Sequence, residues 1–296
     1  MRKLSLMSLI ISMTIFGTIG IFRNYIPFPS AFLAMSRGFI GAAFILLFLF
    51  VTKKGINFSA IKKNALILLI TGAFIGINWI LLFESYKHTT VAVATLCYYM
   101  APLFVTIASA FFYKERFTVK KAVCIIAAIC GMILVSGVTA GAMPTASELI
   151  GIILGLGAAV FYASVTLISR KVKDISSFDM TLVQLLSAAI VVMPYSLFFE
   201  DISFVGADAI AIWFVLIVGI IHTGIAYVMY FTSVKNLESS KVAIFSYLDP
   251  IIAIILSALI LKEKMSVAAI IGAVLILVSA FASEVNFSNF KKHKEK

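Results

Sequence analysis

Ten apolar stretches, each about as long as one membrane crossing, leave this chain few ways to fold. A bilayer core is roughly 30 Å thick and a helix rises about 1.5 Å per residue, so about 20 apolar residues make one span. The stretches lie at 4–22, 31–52, 65–86, 91–113, 121–139, 149–169, 178–199, 209–231, 242–261 and 267–285. Eight carry no Asp, Glu, Lys or Arg except at their ends; the second contains Arg37 and the ninth Asp249. Backbone in lipid must satisfy its own hydrogen bonds, which permits only helices or closed barrels, and these stretches lack the two-residue alternation of barrel strands. The expected fold is an all-α integral membrane protein with ten transmembrane helices.

Composition agrees: 62% of residues are hydrophobic and 12% charged, where soluble domains run nearer half and a quarter. The net charge of +11 would in a soluble protein suggest a nucleic-acid partner. Its distribution says otherwise. If the N-terminus is inside, the cytoplasmic segments hold Arg2, Lys3, Lys53, Lys54, Lys62, Lys63, Lys114, Arg116, Lys120, Lys121, Arg170, Lys171, Lys173, Lys235, Lys241, Lys291, Lys292, Lys294 and Lys296. The outer segments hold only Arg23, Lys87, Lys262 and Lys264. Basic loops stay cytoplasmic, so the bias predicts a multi-pass protein of the cell (inner or plasma) membrane with both termini inside, and no nucleic-acid partner. The stretch after Arg2-Lys3 is too long for a signal-peptide core and no small-residue cleavage site follows, so it reads as a retained helix. Cys97, Cys124 and Cys130 lie in apolar runs without CxxC spacing, and no disulfide, metal site or cofactor is expected.

A repeat appears at an offset of 148 residues. Phe83 to Glu115 aligns without gaps to Phe231 to Glu263, with Tyr99/Tyr247, Pro102/Pro250, Ser109/Ser257, Lys114/Lys262 and Glu115/Glu263 among the identical pairs. The chain divides into a first five-helix repeat, 1–140, and a second, 141–296, that ends in a basic cytoplasmic tail. Five is odd, so the second repeat would cross in the opposite sense. Such inverted-topology pairs are common in secondary transporters, where the substrate site lies near the midplane between the halves.

The two Tyr-x-x-Pro segments with their trailing Lys-Glu, Asn78-Trp79 ahead of the first, and the Arg37 span resemble the drug/metabolite transporter superfamily, specifically its EamA-type ten-helix members. The resemblance runs from about residue 10 to 285. It implies a transporter of amino acids or other small metabolites, mostly an exporter, with importers of vitamins or cofactors among its relatives. The chain departs from it at Glu84, where many members carry a small residue.

Several residues within the spans could carry transport. Proline in a helix frees the carbonyl four residues back, so Pro102 and Pro250 would release those of Tyr98 and Ser246 into a cavity. Charged groups in lipid usually face an interior cavity. Counted by helical rise, Arg37 lies about 9 Å below the outer surface and Glu84 close to that surface, which suggests an Arg37–Glu84 pair at the outer mouth. His222 and Asp249 lie about 13 and 10 Å from the inner ends of spans eight and nine, a depth match that suggests a proton-relaying pair and protons as coupling ion. The alternatives are a snorkelling Arg37, a His222 satisfied by backbone, and an Asp249 that lines the pathway by itself. Asn78, Trp79, Tyr98, Tyr99, Gln184, Tyr227 and Tyr247 are polar-tipped groups suited to a small zwitterion. Gly72-x-x-x-Gly76 and Gly151-x-x-x-Gly155 read as close helix packing.

No HExxH, GxSxG or Walker sequence is present, so neither an enzyme nor an ATP-driven pump is expected. The expected function is a secondary transporter that moves an amino acid or related small metabolite out of the cell by alternating access. Uptake of a vitamin or cofactor-like metabolite, or a passive facilitator or channel, is the alternative.

Overall fold

The computed structural model describes residues 2–114, 117–136, 144–202, 209–237, 242 and 245–284. All ten apolar stretches are largely helical over their described residues, the fourth and the ninth with a break. The helices are α1 (Arg2–Gly17), α2 (Ile19–Asn24), α3 (Ser30–Val51), α4 (Phe58–His88), α5 (Val91–Tyr98), α6 (Ala101–Phe112), α7 (Val119–Val135), α8 (Ala146–Ser169), α9 (Ser177–Phe199), α10 (Ala209–Ile217), α11 (Ala226–Asn236), α12 (Leu248–Leu259) and α13 (Val267–Glu284). A π-helical segment, Val218–Ile225, joins α10 to α11. Among the described residues, seven continuous helical runs are long and apolar enough to cross a bilayer, and α12 and α13 are shorter apolar helices. The protein is an all-α membrane protein. Phe50, Phe111, Phe112, Phe198 and Phe199 are exposed at the ends of spans, where aromatic rings sit at the lipid–water boundary.

Local chemistry sets the helix starts. The side chains of Asn57, Thr90, Thr118, Thr145 and Ser176 each accept from a backbone N–H of the first turn, and Thr145 with Glu148 forms a reciprocal capping box. Past the helix stops, Lys53, Lys114 and Lys262 hold positive φ near 50–60°, the left-handed turn that releases a chain from a helix, and Asp174 does so in the loop between α8 and α9. Lys114 and Lys262 are equivalent positions of the repeat. The turn at Lys262 lays the Glu263 carboxylate on the start of α5, where it accepts from Val91 N at 2.9 Å and Ala92 N at 3.3 Å. Glu200 does the same for α3, accepting from Ala31 N at 3.0 Å and Phe32 N at 2.9 Å. Glu115, Arg116 and the basic tail lie outside the described residues.

Two cores form, and each draws on both ends of the sequence. One gathers α3 and α4 with α9, α10 and the π segment, around Leu33, Ile45, Phe83, Leu185 and Val218. The other gathers α5 to α7 with α12 and α13, around Leu96, Leu103, Ala128, Tyr247 and Ile276. Small residues let backbones cross closely within each. A methyl group on Gly72 or Gly76 would meet the carbonyl of Gln184 or Ala188 on α9; one on Gly151 or Gly155 would meet Thr89 or Cys97. In the second core Gly131 and Gly272 face one another, each against the other's carbonyl oxygen.

The Tyr-x-x-Pro segments break their helices. In the first, α5 ends at Tyr98 and α6 restarts at Ala101, with Pro102 in its opening turn; in the second, Tyr247 caps α12 and Pro250 lies in its first turn. A proline is tolerated there because the first-turn N–H has no helical partner to lose. The breaks meet, with the Tyr99 and Tyr247 rings 6.3 Å apart.

Candidate functional site

A cavity of about 1010 Å³ takes its walls from both cores and from α1 and α8. At one end its lining residues Thr118, Lys120 and Arg170 are exposed; at the other Gly20, Arg37, Trp79 and Leu82 are buried. It therefore opens at the Lys120 end and stops at the Arg37 end. Rings of Tyr98, Tyr99, Tyr162, Tyr227, Tyr230 and Tyr247 line its middle.

Asp249 reaches the cavity from the first turn of α12, where the helix dipole favours a carboxylate. The Tyr99 hydroxyl, from the other helix break, donates to its Oδ2 at 2.5 Å. Arg37 stands at the blind end, 4% exposed. Its guanidinium lies 4.0 Å over the Trp79 ring and 5.5 Å from that of Phe83, and its Nε donates to Thr223 Oγ1 at 3.0 Å. Thr223 belongs to the π segment, packed tightly enough on α3 that a methyl group on Gly41 would strike it.

Of the residues singled out in the sequence, Arg37, Trp79, Tyr98, Tyr99, Pro102, Tyr227, Tyr247 and Asp249 line this cavity. Asn78, Gln184 and Pro250 do not. Asn78 donates to the Ala158 carbonyl at 2.6 Å, tying α4 to α8; Gln184 donates to Thr71 Oγ1 at 2.9 Å, tying α9 to α4. Pro250 is buried in the first turn of α12, at the break in the helix.

Both charge pairs suggested by depth are corrected. Glu84 accepts from Lys87 at 2.6 Å on its own helix, and Arg37 instead faces Trp79 and Phe83. Glu84 follows Phe83 by one residue and so points about 100° away around the helix. His222 shares a hydrogen bond of 2.8 Å with Thr18 Oγ1 and packs its ring 4.9 Å from that of Phe22. The π turn in which it sits turns it toward α1 and α2, and among the described residues the Asp249 carboxylate has Tyr99 as its hydrogen-bond partner.

Tyr86 and Tyr162 also line the cavity and were not anticipated. Tyr86 could have been found, since Trp79, Leu82, Phe83 and Tyr86 form one stripe along α4.

A helical membrane bundle around an aromatic-lined cavity with a few charged groups, open at one end and stopped at the other, is the architecture of a transporter. The chain belongs to the EamA-like transporter family, whose model matches it twice, at residues 3–137 and 149–283. It is 31% identical over 283 residues to a Bacillus subtilis (strain 168) protein named uncharacterized transporter YxxF, covering 93% of this chain and 88% of that one. Protein RarD of Escherichia coli (strain K12) is 24% identical over 204 residues, covering 68% and 66% of the two chains. A solved crystal structure shares the fold with a TM-score of 0.66 at 19% identity, over 96% of this chain and 98% of the other.

Proposed function

We propose that the protein is a secondary transporter that carries an amino acid or related small metabolite out of the cell by alternating access, with the chain's halves crossing in opposite senses. The observation that carries this reading is the cavity: it ends blindly, and a lone carboxylate projects into it where two broken helices meet. In the topology favoured by the basic loops, the open mouth with Lys120, Lys121 and Arg170 faces the cytoplasm, so this is the loading state of an exporter. Asp249 supplies the coupling. A proton and a substrate ammonium group compete for one carboxylate, so a proton arriving from outside displaces the cargo.

Counterflow of labelled amino acids in proteoliposomes, with and without a pH gradient, tests the proposal. The expected result is saturable exchange that a gradient drives in one direction. A protein that exchanges none of them, or passes them without saturation, would remove the transporter reading or replace it with a facilitator.

Alternation requires the blind end to open, and Glu200 and Glu263 hold that end shut. Each joins a loop of the second half of the chain to a helix start in the first half. Losing a cap of this kind costs about 0.5–2 kcal/mol, so Glu263→Ala should favour the opposite state about 2- to 30-fold. The check is maleimide labelling of Tyr86→Cys, in a cysteine-free background, from the Glu263 side of the membrane. Labelling no faster than in the parent would exclude Glu263 as a latch.

A further inference from the structure

Arg37 is a charge in the wrong place for structural purposes. It is buried at the blind end of the cavity, with no carboxylate partner among the described residues. An unpaired buried cation is costly, and the Trp79 face and one hydroxyl offset only part of that cost. A guanidinium has five N–H donors in a planar fork, and only the Nε donor has a hydrogen-bond partner among the described residues. The two terminal nitrogens are left for the cavity that Arg37 lines. That fork matches a carboxylate in two parallel hydrogen bonds.

Asp249, in the lining of the same cavity, presents the complement. Its Oδ2 is occupied by Tyr99, while Oδ1 has no hydrogen-bond partner among the described residues. Arg37 and Asp249 line one cavity, and Tyr86 and Tyr98 stand in the same wall. The cavity lining is rich in aromatic rings, suited to an apolar side chain.

We propose that Arg37 is the anion-recognition point of this cavity and binds the carboxylate of a zwitterionic substrate, whose ammonium group Asp249 holds. The assignment rests on the transport reading for the fate of the ligand, and on the geometry alone for its binding. Arg37 then sets specificity: amino acids are accepted, while amines and carboxamides of the same shape are refused.

The test uses Trp79 as reporter, because it lies against the guanidinium. The chain has two tryptophans, and Trp213→Phe leaves Trp79 alone. Purified protein in this background is titrated with phenylalanine, phenylalaninamide, 3-phenylpropanoate and 2-phenylethylamine, and with the matching leucine series. The expected result is a saturable Trp79 response in which the amino acid binds at least about tenfold more tightly than its amide, the worth of a charge-assisted hydrogen bond. Arg37→Gln should erase that preference, and Arg37→Lys, which keeps the charge and guards against misfolding, should retain part of it. Equal binding of acid and amide, a preference that survives Arg37→Gln, or no carboxylate-dependent response in either series would overturn the assignment. Counterflow of the same compounds separates the two claims. Carboxylate-dependent binding without exchange leaves Arg37 standing and removes the transport reading; exchange indifferent to the carboxylate does the reverse.

Discussion

Asp249→Asn is expected to lower exchange of any amino acid that the parent protein carries by about 10- to 100-fold, the equivalent of losing one hydrogen bond to a charged group. The substitution keeps the shape of the side chain and an oxygen to accept from Tyr99, so α12 and the meeting of the two helix breaks should persist. What it removes is the negative charge. An amide neither attracts an ammonium group nor exchanges a proton, so both the cargo and the driving ion lose their site. The pH gradient should then have no effect on whatever exchange remains. Tyr99→Phe is the companion: it leaves the charge and removes its orienting donor, so a smaller loss with gradient dependence intact is expected. Exchange that proceeds at the parent rate in Asp249→Asn proteoliposomes would take Asp249 out of the pathway.

The second large effect is on stability. Gly272→Ala should destabilise the protein by about 1–3 kcal/mol, because its methyl group would lie 2.5 Å from the Gly131 carbonyl oxygen. The obstruction is backbone, which cannot rotate away as a side chain can, so α7 and α13 must move apart. Gly131→Ala meets the Gly272 carbonyl at 2.7 Å and should cost a similar amount. Both methyl groups press on one crossing, so once the first has parted the helices the second finds room, and the double variant should lose less than the sum. Gly55→Ala is the control: nothing lies within 4 Å of its methyl position. Thermal unfolding in detergent reads all four, and strict additivity of the pair would mean that the helices do not share this contact.

The spans were legible because the bilayer imposes a length on every crossing, and Arg37 and Asp249 stood out because charge is rare at that depth. The repeated Tyr-x-x-Pro located both helix breaks. Depth along a helix is only one of two coordinates, however. Rotation about the axis decided the partners of Arg37, and one residue separates Phe83, which faces it, from Glu84, which does not. In span eight the π segment adds a residue to the turn, so a count based on ordinary helical spacing misdirects His222. Asn78 and Gln184 sat in the right spans but on the faces that bind helices together. A polar side chain between helices and one facing a cavity look alike in sequence.

The way the cores are assembled also bears on how the chain is made. α3 and α4 complete their core with α9, α10 and the π segment, and α5 to α7 complete theirs with α12 and α13. A ribosome delivers these partners late. During synthesis the early helices reside in the membrane with the guanidinium of Arg37 unmatched, since its partner Thr223 lies more than 180 positions downstream. At about 5–20 residues per second that wait lasts roughly 10 to 40 seconds. The first half emerges as an open half-clasp, and its buried guanidinium must be sheltered by the insertion machinery until the second half closes over it.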